Sequence, residues 1–100
     1  MKSVKIRALG GGEPHENWGS WKGFLKSCEV RDKHDGVVFY GKTNCNYIVF
    51  PDGMLVRNYG YHGWALMNRI REEGVKVVKA DLVKQWQELD KTLAKLRVST

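Results

Sequence analysis

The hydrophobic and polar positions between residues 30 and 58 follow the pattern of two β-hairpins. The polar turn at residues 33–36 precedes the β-branched and aromatic run at residues 37–40, which predicts a hairpin with Val30 and Val37 on its two arms. A second hairpin is predicted at Pro51, Asp52 and Gly53. Because proline fixes φ near −65°, we expect a type I turn through Pro51 and Asp52, with Gly53 as a left-handed bulge.

The second turn also predicts the register of its strands. Phe50 then opposes Met54, and Ile48 opposes Val56, so that these four side chains form one apolar face. The opposite face carries three hydrophobic or aromatic residues and one cation, namely Tyr47, Val49, Leu55 and Arg57. Such a face is too apolar to stay in water, so we expect a helix or a binding partner to cover it.

The remaining strands are predicted from weaker patterns. Apolar and polar residues alternate at residues 4–9, which predicts a short edge strand. The β-branched residues at 75–78 predict another short strand. Residues 21–32 favour a strand over a helix because Gly19 and Gly23 weaken any helix. Between these segments, residues 10–20 hold four of the eleven glycines and are expected to form a mobile loop.

Two helices are predicted in the second half of the chain. Residues 64–73 have a helical period, with Gly74 placed to end the helix. Asp81 can cap a second helix that continues to Val98. Its apolar positions recur at spacings of four and three: Leu82, Trp86, Leu89, Leu93 and Leu96.

This apolar stripe has two interpretations. It packs onto the sheet face of Tyr47, Val49 and Leu55, or it forms a seam with a second chain, which would make the protein a homodimer. In either case the sequence predicts a single α+β domain over residues 1–100. Its sheet would be predominantly antiparallel with about five strands, accompanied by two helices of which the longer is C-terminal.

Composition narrows the function classes. The 100 residues include 17 Lys and Arg against 11 Asp and Glu, a formal charge of +6 that favours an anionic partner. A chain of this length buries roughly two-thirds of its unfolded surface, which leaves little for a catalytic pocket, so we expect a protein without enzymatic activity. No secretory signal is legible, so we expect a cytoplasmic protein in which Cys28 and Cys45 are free thiols.

One segment matches a nucleotide-binding sequence motif letter by letter, because residues 36–43 fit the Walker A pattern. A phosphate loop needs exposed backbone amides before a helix, whereas Val37, Phe39 and Tyr40 favour a half-buried strand. We therefore expect a false match, with Gly41 as a strand bulge and Lys42 as a solvent-facing cation. The two cysteines and three histidines show no metal-ligand spacing, so neither metal nor cofactor is expected.

Aromatic and basic residues interleave at residues 18–26 and 57–62, as they do on nucleic-acid-binding surfaces. We expect five cations to meet phosphates: Lys22, Lys26, Lys42, Arg57 and Arg69. Three rings would stack on bases or pack against the strand: Trp21, Tyr59 and Tyr61. The alternative for the first segment is structural, with Trp18, Trp21 and Phe24 fixing the glycine-rich loop onto the core.

The stretch from Val37 through residues 46–61 to Ile70 resembles small phage-encoded proteins of uncharacterised function. Its layout is also similar to the double-wing DNA-binding domain of a phage middle-gene transcription activator. The matching parts there are the Gly60-Tyr61 corner, the helix at residues 64–73 and the strand at residues 75–78. The pattern departs at His62 and Gly63, where the phage proteins have a hydroxyl-rich helix start.

Two functions follow as hypotheses. The first is a phage accessory protein in the host cytoplasm that binds nucleic acid through its basic and aromatic residues. The second is a protein-binding inhibitor or modulator of a host or anti-phage defence enzyme. In that case the apolar hairpin face and the stripe of the last helix, with Trp86 as an anchor, would form the interface.

Overall fold

The computed structural model describes residues 4–14 and 16–98, which form an α+β fold with a five-stranded mixed sheet. The elements in chain order are β1 (Arg7–Ala8), a 3-10 turn (Glu16–Trp18), α1 (Trp21–Leu25), β2 (Glu29–His34), β3 (Val37–Lys42), β4 (Cys45–Val49), β5 (Met54–Tyr59), α2 (His62–Glu73) and α3 (Val75–Val98). The strand order is β1-β5-β4-β3-β2, and β1 is parallel to β5 while the other neighbours are antiparallel. The α+β class is confirmed, but the described residues form three α-helices rather than two.

Both predicted hairpins are confirmed. Val30 and Val37 lie on the adjacent strands β2 and β3. At the second hairpin the amide of Phe50 donates to the carbonyl of Met54 at 2.8 Å, and Gly53 has a φ of 94°. That left-handed conformation suits glycine, which has no Cβ to clash with its own backbone.

The helices α2 and α3 cover one face of the sheet. Phe39, Ile48 and Phe50 are completely or almost completely buried on this face. They pack in one core cluster with Met67 of α2 and Val78 of α3. The predicted apolar hairpin face is therefore the main core of the protein.

The opposite face is covered by α1, the first half of the strand predicted over residues 21–32; that half is wrong, while residues 29–32 do belong to the strand β2. Ser20 caps this short helix, because its Oγ accepts a hydrogen bond from the amide of Gly23 at 3.0 Å. The helix buries Trp21, Phe24 and Leu25 together against the sheet. The cap and this burial outweigh the low helix propensity of Gly23.

The predicted strand at residues 75–78 is also wrong, because α3 begins at Val75 rather than at Asp81. The amide of Val78 donates to the carbonyl of Gly74 at 3.2 Å. Val78 is fully buried while the neighbouring Val77 is 55% exposed. Burial of Val78 against the sheet outweighs the strand preference of this β-branched run.

The stripe of α3 does not pack on Tyr47, Val49 and Leu55, as the default interpretation predicted, because α1 already covers that face. Leu82 packs at the edge of the main core on the opposite face. Trp86 packs against Gly10, where an added Cβ would lie 2.8 Å from the indole ring. The three remaining leucines of the stripe are substantially exposed: Leu89, Leu93 and Leu96.

Candidate nucleic-acid interface

Four aromatic rings form a cluster between α1 and the sheet: Trp18, Trp21, Phe24 and Tyr47. The ring of Phe24 lies at the centre, with centroid distances of 6.0 Å to Trp18, 5.7 Å to Trp21 and 5.2 Å to Tyr47. All three contacts are edge-to-face, the arrangement that aromatic quadrupoles favour. This aromatic cluster holds α1 on the sheet, whereas the structural interpretation of residues 18–26 expected these rings to fix the glycine-rich loop onto the core.

Lys42 lies over this aromatic cluster and is half-buried there, rather than fully solvent-facing as the sequence predicted. Its Nζ is 4.5 Å from the ring centroid of Trp18 and 5.1 Å from that of Phe24. The same Nζ donates a hydrogen bond to the Oγ of Ser27 at 2.7 Å. Gly41 pairs regularly with Asn46, so it is not a bulge. The Walker-like segment is therefore largely the strand β3 and not a phosphate loop.

Arg57 provides a second cation over the aromatic cluster. Its guanidinium carbon lies 4.8 Å from the ring centroid of Trp21, and it pairs across the strands with Tyr47. The guanidinium also lies against Gly12, where no side chain could fit without displacing it. Arg57 is nevertheless exposed, so part of its charge is available to a ligand.

Lys22 on α1 and Lys26 at its C-terminal cap are both exposed, one helical turn apart. None of the ion pairs within residues 4–14 and 16–98 includes Lys22, Lys26, Lys42 or Arg57. A hollow of about 600 Å³ lies next to α1. Two further cations, Lys5 and Arg7, line it together with the carboxylate of Glu13. The α1 face therefore carries several cations that form no ion pair with a described carboxylate.

The other predicted aromatic residues lie at the end of β5. Tyr59 is 70% exposed and Tyr61 is 88% exposed. The corner between them is fixed, because the amide of Gly60 donates to the carbonyl of Asn44 at 3.1 Å and the side-chain amide of Asn46 donates to the carbonyl of Gly60. Strand alternation places Tyr59 on the same face as Arg57.

Among the tryptophans of this segment, the exposed ring is not the one predicted to stack. Trp21 is only 8% exposed, and its Nε1 is buried without a hydrogen-bond partner in the described structure. Trp18 is 39% exposed and offers an edge of the aromatic cluster to solvent. Since both belong to the same aromatic segment, only tertiary packing distinguishes the exposed ring from the buried one.

Arg69 lies apart from the other predicted cations. It belongs to α2, on the opposite side of the sheet, where its Nε donates to Glu73 at 2.7 Å and its Nη1 to Asp81 at 3.2 Å. These two carboxylates, Glu73 more than Asp81, raise the pKa of Arg69. Its charge is thus compensated within the protein, so Arg69 does not belong to the candidate interface.

Titratable groups beneath the candidate interface are held in their neutral forms. Burial raises the pKa of the Cys28 thiol, although Lys42 acts in the opposite direction. Burial, followed by the influence of Cys45, raises the pKa of Tyr47 to about 12. A thiol with a raised pKa is a poor nucleophile at neutral pH. Within the described residues no cluster of three His, Cys, Asp or Glu side chains is placed to hold a metal ion.

Comparisons with known proteins give no relative. No family model, no curated protein and no solved structure matches the chain, so its resemblance to phage proteins stays a prediction. Among the described helices, none combines the length and the apolar character needed to cross a bilayer. The interpretation of the α1 face therefore depends on its own chemistry.

Proposed function

We propose that the protein is a non-enzymatic module that binds nucleic acid on the face covered by α1. The observation that carries this proposal is that cations and aromatic rings lie together on this face, where Lys42 is over Trp18 and Arg57 is over Trp21. On the other side of the sheet, Arg69 and Arg71 are paired with carboxylates, while four lysines of α3 have no ion-pair partner among the described residues: Lys76, Lys84, Lys91 and Lys95. On the α1 face Lys22, Lys26 and Arg57 have no such partner in the described structure, so phosphates can supply the missing negative charge.

The exposed rings favour single-stranded nucleic acid. Trp18, Tyr59 and Tyr61 offer stacking surfaces that unpaired bases can reach and that paired bases inside a duplex cannot. The α1 helix has only five residues, too few to serve as a recognition helix along a major groove. We therefore expect a single strand to follow the basic residues while some of its bases stack on these rings.

Fluorescence anisotropy with labelled oligonucleotides tests this function. We expect a single strand to bind more tightly than a duplex of the same length, and its affinity to fall steeply between about 50 and 200 mM salt because phosphate contacts release counterions. Replacing Trp18 with Ala should weaken binding by roughly 1–3 kcal/mol, the usual contribution of one base stacked on one ring. The absence of binding to either form, or an affinity independent of salt, would refute the proposal.

A second candidate function is protein binding by the end of α3. It is favoured by the exposure of Leu89, Leu93 and Leu96, which are 49%, 37% and 59% accessible. Trp86, the predicted anchor, packs against Gly10 and is half-buried within the protein, so less of its ring is available to a partner than the sequence suggested.

Sedimentation velocity of the wild type and a Leu89→Gln/Leu93→Gln variant would show whether these leucines join two copies. A nuclease-treated pull-down with the same pair would show whether they hold a host protein. The phage origin and the cytoplasmic location stay predictions from the sequence.

A further inference from the structure

An open groove of about 510 Å³ lies between α1, the N-terminal segment and the strands β2 to β4. Its lining is mainly apolar and includes Ile6, Leu25, Val30, Val38, Tyr40 and Val49. Its volume falls within the range of roughly 300–1,000 Å³ that is usual for small-molecule sites. Val30 is 52% exposed at this groove, so apolar surface stands open to solvent there.

The charged residues of this lining all have the same sign. Lys22 on α1 and Lys26 at its C-terminal cap contribute the cations, and none of the described residues of the lining is a carboxylate. Burial raises the pKa of the Tyr40 hydroxyl, so this group remains neutral beside them. The groove thus combines an apolar floor with a positively charged rim.

We propose that this groove binds a small amphipathic anion, with an apolar chain along Val38 and Val49 and a terminal carboxylate at Lys22 and Lys26. The charge complementarity of the rim selects an anion over a cation or a neutral molecule of the same size. The apolar floor selects a chain rather than a nucleobase, whose polar edges would need hydrogen-bond partners. Binding of this anion is an activity additional to nucleic-acid binding, and it does not require nucleic acid to be present.

Decanoate is a suitable probe, and decyltrimethylammonium is its matched control with the same chain and the opposite charge. In an NMR titration of the full chain without nucleic acid, decanoate should shift the methyl signals of Val30, Val38 and Val49 in a saturable 1:1 manner. The exposed Val77 on α3 should not respond. We expect the anion to bind at least about tenfold more tightly than the cation, which corresponds to one charge-assisted contact of roughly 1.4 kcal/mol.

Variants locate the site. Val38→Trp should abolish decanoate binding by filling the groove, whereas Val77→Trp should leave it unchanged. Lys26→Gln should reduce the preference for the anion. If Val38→Trp fails to fold, the methyl shifts of the wild type still decide the question. Equal affinity for both amphiphiles, shifts away from the groove, or binding only to anionic vesicles would overturn the proposal.

Discussion

Replacing Phe24 with Ala removes the central ring of the aromatic cluster that joins α1 to the sheet. Phe24 is 8% exposed and contacts three other rings edge-to-face, with Lys42 above it. Truncation of a buried Phe usually destabilises a protein by about 3–5 kcal/mol. We expect a value in that range, because each aromatic pair adds roughly 0.5–1.5 kcal/mol beyond its buried area.

Urea denaturation followed by far-UV circular dichroism measures this change. With a slope of about 1.5 kcal/mol per molar urea, a loss of 3 kcal/mol lowers the midpoint by roughly 2 M. Leu93→Ala is the matched control, since Leu93 lies on the exposed part of α3 and its truncation should change the free energy of unfolding by no more than about 0.5 kcal/mol. A loss below about 1 kcal/mol for Phe24→Ala would show that α1 does not cover this face.

Three further predictions concern the other face and its edges. Val78→Ala should destabilise the protein by roughly 2 kcal/mol in urea denaturation, while Val77→Ala should have no unfavourable effect; equal effects would contradict the helical start of α3. Gly63→Ala should lower the melting temperature, because the new Cβ would lie 2.7 Å from a buried ring of β3; the gain of about 1 kcal/mol in helix propensity does not offset overpacking of roughly 1–3 kcal/mol. The hydrogen bond from Lys79 lowers the pKa of Asp52, so its stabilising contribution is complete above the ordinary carboxyl pKa of about 3.9 and is lost as pH falls through the lowered value. The melting temperature of Asp52→Asn should therefore fall less on acidification than that of the wild type, and parallel curves would contradict this.

The hairpins could be predicted from sequence because their turns are specified by local chemistry. Pro51 and Gly53 permit few backbone conformations, and the alternation around them then determines which side chains share a face. The helix α2 is equally local, since its apolar period ends at Gly74, whose φ is 94°. For these elements, local preference and tertiary packing agree.

The errors occurred where tertiary contacts outweigh local preference. Val75 and Val78 have strand propensity, yet they lie in a helix because Val78 fills the core between α3 and the sheet. Trp21 and Phe24 lie in a helix although Gly23 lowers its helix propensity, because the helix buries both rings against a sheet face that α2 and α3 do not cover.

For the candidate interface, the sequence identified the residue types but not the side of the sheet. Arg69 was therefore grouped with cations that lie across the sheet from it, and Trp21 was predicted to stack on bases although Trp18 is the more exposed of the two rings.

The most direct test of the account compares two double variants that remove the same charge from different places. Lys22→Gln/Lys26→Gln removes two cations from the α1 face, and Lys91→Gln/Lys95→Gln removes two from the exposed end of α3. The measurement is the slope of log affinity against log salt concentration for a single-stranded oligonucleotide. We expect the first variant to reduce the magnitude of the slope by about 1.4, at roughly 0.7 per lost phosphate contact, and the second to leave it unchanged. An equal reduction in both variants would contradict the account, because it would mean that net charge, and not the α1 face, binds the nucleic acid.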